Sequence, residues 1–297
     1  YQTVKHDIWN YDNPTAPILL DVNVGGRPVP GLFQITKQAY VYSFNRQTGE
    51  PIWPIEMRPA PQSRVPGERL PAMQPHPTRP APFDLQGRTE EHLIDYTPEI
   101  RRLALEEARR TQALAPLFVP PTHRGNAEGA APANICPGSG GGANITGPPA
   151  ADPVAGVIFV TSHSGCSRTM LAPAGERDNS RMTGTTVLPW ARGGPGPAAA
   201  DAGGRGRGAA GRGATPASPL QGIPGIFKGP VGRITAIDMN TGEHLWMIPH
   251  GDSPAEQQEV FRNNPLLKGV DVDTNWGRSG HAAMMATPTL LFATGAT

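Results

Sequence analysis

Val41-Tyr42-Ser43-Phe44-Asn45-Arg46-Gln47-Thr48-Gly49-Glu50-Pro51-Ile52-Trp53 and Thr235-Ala236-Ile237-Asp238-Met239-Asn240-Thr241-Gly242-Glu243-His244-Leu245-Trp246 follow one pattern. In each, an alternating apolar run meets Asx-x-x-Thr-Gly-Glu, and a second short run ends on Trp. Glycine supplies the positive-φ position, and the Asx and Thr side chains bond the nearby backbone, so both stretches are expected to be β-hairpins. Asp152-Pro153-Val154-Ala155-Gly156-Val157-Ile158-Phe159-Val160 is a fainter third copy, a turn running into a β-branched strand. Two unrelated hairpins would leave the same trace, and composition weighs between the alternatives. The 297 residues include 36 Gly and 35 Pro, which interrupt helices and populate turns. A turn-dense all-β fold is the expectation.

A Trp at the same offset in the two strong copies suggests a flat side chain stacked between successive sheets, the device that locks the blades of a β-propeller together. Charge points to no polyanionic partner, because 26 Lys and Arg stand against 25 Asp and Glu, a formal +1. Nor is there a run approaching the roughly 18 apolar residues of a membrane-spanning helix.

The segments between the repeats differ in character. Residues 54–90 are Pro-rich and are expected to form an ordered but irregular loop. Thr97-Pro98-Glu99-Ile100 then opens the one helix expected, with Thr97 as cap and Pro98 in the first turn. Its buried stripe is Ile100, Leu103, Ala104 and Ala108, and Pro116 ends it. Residues 54–118 thus read as a loop-plus-helix insertion. Residues 191–217 are low-complexity, with Arg205-Gly206-Arg207-Gly208 at their centre, and are expected to form a flexible loop. The absence of interleaved aromatics there argues against nucleic-acid binding. Cys136 and Cys166 have no metal-site spacing; they permit one disulfide without requiring it.

Longer landmarks carry a resemblance. The run Tyr1 to Asp12 (Tyr-Gln-Thr-Val-Lys-His-Asp-Ile-Trp-Asn-Tyr-Asp), then Ile35-Thr36-Lys37-Gln38-Ala39-Tyr40, Gly49-Glu50-Pro51-Ile52-Trp53, Pro61-Gln62-Ser63-Arg64-Val65-Pro66-Gly67-Glu68, Gly140-Gly141-Gly142-Ala143-Asn144 and Gly232-Arg233-Ile234-Thr235-Ala236-Ile237-Asp238 occur in order. Together they resemble the pyrroloquinoline-quinone (PQQ) dependent dehydrogenases of the membrane glucose and alcohol dehydrogenase type, over most of the chain outside 191–217. The resemblance implies an eight-bladed propeller, of which residues 1–297 would form about half. It also implies PQQ with Ca²⁺ or a lanthanide, an alcohol or sugar substrate, and ubiquinone or cytochrome c as electron acceptor. The implied location is the bacterial periplasm, with attachment to the inner membrane through a segment outside this chain.

The resemblance also assigns residues. Asn10 stands where the family has its catalytic Asp, and an amide cannot accept the proton an alcohol loses. If residues 6–12 are extended, His6, Ile8, Asn10 and Asp12 share a face, which makes Asp12 the nearest carboxylate. Asp12 is then a metal ligand or substitute base, and Asn10 a neutral oxygen ligand; alternatively Asp12 merely opens the turn Asp12-Asn13-Pro14. Lys37 matches the family's cation at the quinone oxygens, although a solvated lysine would look the same. Asn144 matches a cofactor-contacting Asn, with Ile145 where the family has Trp. His6 is either a proton shuttle or a structural histidine. Trp9, Trp53 and Trp246 are assigned to packing. A different class remains open at this point, a propeller serving as a non-catalytic binding or assembly platform.

Overall fold

This computed structural model describes residues 1–123, 132–138, 140–173, 185–189 and 220–295. The low-complexity stretch 191–217 lies outside the described residues. The first sheet is an antiparallel meander of β1 (Ile18–Val24), β2 (Arg27–Ile35) and β3 (Val41–Asn45), extended by a bridge between Phe44 and Pro51. Alternation builds it: Leu20 and Val22 of β1 are buried while Leu19, Asp21 and Asn23 face out. On β2, Phe33 and Ile35 are fully buried, and Gly31 leaves room for the Phe33 ring, which would lie 2.5 Å from a Cβ there.

The Pro-rich stretch 54–90, expected to be irregular, holds a hairpin of β4 (Ile55–Pro59) and β5 (Met73–Pro77). Pro59 and Pro77 sit at the ends of that pairing and Pro75 at its centre, opposite Met57; in a two-stranded ribbon both strands are edges, where proline is tolerated, so proline density did not prevent strands. Next come α1 (Pro98–Arg110), β6 (Thr122–His123), β7 (Ala133–Ile135), β8 (Ala150–Asp152) and β9 (Val157–His163). After them follow β10 (Ser167–Pro173), β11 (Thr185–Pro189), β12 (Gly232–Asp238) and β13 (Glu243–Pro249). The chain ends in α2 (Ala255–Arg262), β14 (Met284–Ala286) and β15 (Leu291–Ala293).

The second sheet is the four-stranded antiparallel order β13-β12-β9-β8, a meander into which β10 and β11 are inserted. β14 and β15 pair as a separate antiparallel hairpin. The β1–β3 sheet and the β8-β9-β12-β13 sheet pack face to face, burying Leu20, Phe33 and Ile35 of one against Ile158, Val160 and Ile237 of the other, while β11-β10-β6, with β7 also paired to β10, form a further four-stranded sheet. Each large aliphatic or aromatic side chain so buried contributes roughly 2–3 kcal/mol. Successive antiparallel meanders stacked on apolar faces are the arrangement of propeller blades.

The repeated turns explain the repeated sequence. Asn45 Oδ1 accepts from the Gln47 amide at 2.9 Å and Asp238 Oδ1 from the Asn240 amide at 2.8 Å. Gly49 and Gly242 close the turns at φ 76° and 74°. The third copy shows the same chemistry, with Asp152 Oδ1 accepting from Val154 N at 2.9 Å and Gly156 at φ 71°, but it joins the first two strands of its sheet instead of the last two. The Trp53 ring rests on the turn of the next sheet, 3.2 Å from where a Cβ on Gly242 would stand. Trp246 packs beside Phe159 of its own sheet, with ring centroids 5.8 Å apart, and remains part-exposed.

Thr97 caps α1 by accepting from the Ile100 amide at 3.1 Å, and Ile100, Ala104 and Ala108 are fully buried. The helix α2 is a correction to the expectation of one helix. It is short, and Phe261 is its one buried residue, which leaves almost no periodic stripe to detect. Both helices pack in one cluster with Trp276.

Candidate active site

The extended conformation expected for residues 6–12 is not adopted. Asp7 folds the segment on itself, its Oδ1 accepting from the Trp9 amide at 2.8 Å and its Oδ2 from the Tyr11 amide at 2.7 Å. His6 and Asn10 both take positive φ, at 53° and 66°, so side chains do not alternate faces. Trp9 and Tyr11 are buried with Phe118, while His6, Asn10 and Asp12 are exposed. An Asp two residues before a core Trp is a local signal for such a turn, and it was the feature missed.

This folded segment delivers Asp12 to Lys37. The ammonium Nζ stands 2.5 Å from Asp12 Oδ1, with the lysine side chain 10% exposed and the aspartate 60%. Lys37 is held by a tight reversal after β2, in which Ala39 N donates to Thr36 O at 3.1 Å and Thr36 Oγ1 to Tyr40 O at 3.1 Å. With one partner so exposed, the ion pair contributes little net stability, of order 1 kcal/mol or less. It does fix where a positive charge sits.

The glycine-rich run that precedes Asn144 packs on the Lys37 backbone. Gly142, at φ 61°, lies so close to the Lys37 backbone that a Cβ would stand 1.8 Å from the Lys37 carbonyl oxygen. Gly142 N donates to His163 O at 2.9 Å, and His163 N returns a bond to Gly142 O at 3.2 Å. His281 Nε2 also donates to Gly142 O, at 2.8 Å. Upstream, Cys136 and Cys166 form a disulfide, and Gly138 N donates to Gly165 O at 2.8 Å. Asn144 Oδ1 accepts from the Ile145 amide at 2.7 Å, which leaves the Asn144 side-chain N–H₂ as its donor.

Of the expected site residues, Asp12, Lys37 and Asn144 are thus tied to one neighbourhood. No hydrogen bond among the described residues joins His6 or Asn10 to them.

Behind this surface lies a buried charge cluster that sequence inspection did not find. Asp84 Oδ1 accepts from Ser164 Oγ at 2.5 Å and faces Arg233 Nη2 at 3.4 Å. Arg233 Nη2 also donates to Ser164 Oγ at 2.8 Å, and Arg88 Nη2 to Ser164 O at 2.5 Å. Burial pushes the Arg88 guanidinium down to about 10, with Asp84 opposing that shift and Arg233 adding to it. Burial also lowers His163 and His281 from the usual imidazole range, so both rings are neutral near pH 7. The Gln38 side chain, fully buried next to Lys37, has no partner for Oε1 or Nε2 among the described residues, and Ser162 Oγ has none either. Buried polar atoms left unpaired mark a place where a polar ligand or water completes the bonding.

The unpaired Gln38 amide, one residue from Lys37, and Ser162, one residue from the Gly142 partner His163, fit a polar, oxygen-rich ligand in this neighbourhood. The fit to a metal is weaker. Asn10 and Asp12 offer two oxygen donors where Ca²⁺ takes six to eight. Among the described residues no three His, Cys, Asp or Glu side chains gather as a metal site.

Stacked antiparallel meanders, with Lys37 and the Asn144 run in their connecting loops and Asp12 in the segment before β1, give the packing expected of a β-propeller protein with a polar loop-borne site. A family model described as the glucose/ethanol/alcohol dehydrogenase beta-propeller domain matches residues 1–297, and the chain belongs to this PQQ-dependent dehydrogenase family. It is 40% identical over 76 residues to a quinoprotein glucose dehydrogenase of Gluconobacter oxydans, a match covering 25% of this chain and 9% of that protein. It is 36% identical over 75 residues to the quinoprotein glucose dehydrogenase of Escherichia coli, again 25% of this chain and 9% of the relative. A probable quinate dehydrogenase (quinone) of Xanthomonas campestris pv. juglandis is 26% identical over 270 residues, 84% of this chain and 30% of that protein. No helix among the described residues is long and apolar enough to cross a membrane.

Proposed function

We propose that this chain is part of a quinoprotein oxidoreductase that oxidises an alcohol or aldose sugar by hydride transfer to PQQ with metal assistance. The observation that carries the proposal is the Lys37–Asp12 pair at 2.5 Å with the Asn144 loop packed on the Lys37 backbone. Bound PQQ would supply the hydride acceptor. Lys37 and the Asn144 side-chain N–H₂ are the donors suited to its oxygens, a nearly buried ammonium being strong where water is scarce. Asp12 accepts the substrate's hydroxyl proton: Oδ1 is taken by Lys37, and Oδ2 carries no bond among the described residues. Asn10 orients that hydroxyl and offers a neutral oxygen ligand to a Ca²⁺ or lanthanide ion, which Asp12 would join as a ligand where it does not serve as the base. His6, exposed on the same segment, hands the proton to solvent.

The same proposal takes in the rest of the assignment. Residues 1–297 form about half of an eight-bladed propeller, with residues 54–118 as an insertion. Electrons pass to ubiquinone or a cytochrome in the bacterial periplasm. The test is to load the full-length protein with PQQ and Ca²⁺ or a lanthanide and follow dye reduction with alcohols, aldoses and quinate. Asp12→Asn is expected to lower turnover at least a hundredfold. A loaded protein that binds PQQ yet reduces no dye, and gains no activity on Asn10→Asp, would instead support a non-catalytic binding platform, the alternative that Asn10 favours.

A further inference from the structure

Gly142 is a node at which three successive parts of the fold meet. The Lys37 carbonyl, from the loop after β2, packs on its Cα; His163, at the end of β9, pairs with its backbone; and His281, from the connection into β14, bonds its carbonyl. Asn144 lies two residues further along the same run.

His281 belongs to no repeat motif and to no role assigned above, yet its contacts are specific. Its Nε2 must carry the ring proton, because the acceptor is a carbonyl. Its ring stands edge-on to His163 at 6.3 Å between centroids. Its Cβ sits against Gly147, where an added Cβ would come within 2.6 Å. Gly147 N in turn donates to Asn144 O at 3.1 Å, closing the loop that carries Asn144. His281 therefore touches this loop at both ends. The disulfide and the Gly138–Gly165 bond anchor the run upstream of Gly142, while the bonds of Asn144 to Ile145 and Gly147 are internal to the loop.

We propose that His281 is a positioning residue that, through its Nε2–H bond to the Gly142 carbonyl, holds the Asn144 loop in register with Lys37 for quinone binding. The proposal rests on the functional reading above.

The test uses the two amides that imitate the two ring nitrogens: Gln places its N–H₂ near the Nε2 position, Asn near Nδ1. PQQ is titrated into the full-length protein with Ca²⁺, following tryptophan fluorescence, and thermal stability is recorded alongside. His281→Asn and His281→Ala are expected to weaken PQQ binding about tenfold, the value of one neutral hydrogen bond. His281→Gln is expected to stay within about twofold of the wild type. The Asn–Gln comparison does not depend on the Ala variant folding. Asn and Ala variants that bind like wild type would overturn the proposal, as would a Gln variant as weak as Ala or losses that merely track a fall in Tm. Failure of the wild type to bind PQQ would overturn the functional reading, and this inference with it.

Discussion

Replacing Asp84 by Asn keeps shape and removes one charge, and the site it leaves is unforgiving. Asp84 is 5% exposed, Arg233 3% and Arg88 6%, so the carboxylate is the counter-charge between two buried guanidiniums. Removing one partner of a buried pair leaves an uncompensated charge in a poorly polarisable interior, which costs about 3–5 kcal/mol. The Ser164 Oγ donor survives, since an amide oxygen still accepts, so the lower half of that range is expected, about 3 kcal/mol. An internal control exists in Asp21 and Arg46, which approach more closely, at 2.7 Å, but with the aspartate side chain 78% exposed. Asp21→Asn is expected to cost about 0–1 kcal/mol and to lose even that in high salt. Denaturant midpoints with an unchanged m-value give both numbers. A cost below about 1 kcal/mol for Asp84→Asn, or equal costs at the two sites, would refute the argument that burial, and not distance, ranks these pairs.

Burial holds the His76 imidazole down to about 4, with Arg58 adding to the shift and Glu56 opposing it, and the ring contacts the Tyr40 hydroxyl at 2.6 Å through Nδ1. The unfolded chain takes up this proton near pH 6.5 and the folded one does not. The stabilisation is therefore complete above pH 6.5 and lost as pH falls to about 4, by roughly 1–2 kcal/mol after allowing for partial exposure. Denaturant midpoints of His76→Gln should lose this slope. Gly142→Ala sets a Cβ 1.8 Å from the Lys37 carbonyl oxygen at a φ of 61°, and is expected to cost more than about 2 kcal/mol in the same assay. Cys136→Ser with Cys166→Ser opens a link between residues 30 apart, and should cost roughly 3–4 kcal/mol, read from the thermal midpoint.

What the sequence made legible was local. Asn45 to Gly49 and Asp238 to Gly242 announce their turns because Asx, Thr and Gly each satisfy a requirement within five residues, and Thr97 announces a helix by the same short-range logic. Lys37, Asp12 and Asn144 were reached through the resemblance, and the fold ties them together. The segment 6–12 defeated local reasoning because two outcomes compete there. Alternating polar and apolar residues suit a strand, while Asp7 suits a turn, and burial of Trp9 and Tyr11 with Phe118, far along the chain, favours the turn. His281, Asp84, Arg88 and Arg233 had no local signature at all, since their partners lie scores of residues away.

The two kinds of information meet at Gly142. The sequence shows a glycine run, which by itself permits almost any backbone path. The fold selects one path by closing three sides: the Lys37 carbonyl, the His163 strand end and the His281 ring. A flexible run becomes a rigid support only because its neighbours come from successive repeats. Lys37 and Asn144 can therefore act on one ligand only while the loops after β2, after β9 and before β14 keep their relative positions. Each of those loops is anchored to a different part of the fold, so the stacking of sheet on sheet that buries Phe33 against Ile158 and Ile237 is also what sets the spacing of the site. A cavity made by Phe33→Ala should thus loosen quinone binding as well as cost about 3–5 kcal/mol of stability, because Phe33 shares its core cluster with Ala39 and Ala143, which flank the site. Unchanged PQQ affinity in that variant, under conditions where it remains folded, would separate the core from the site and refute the coupling.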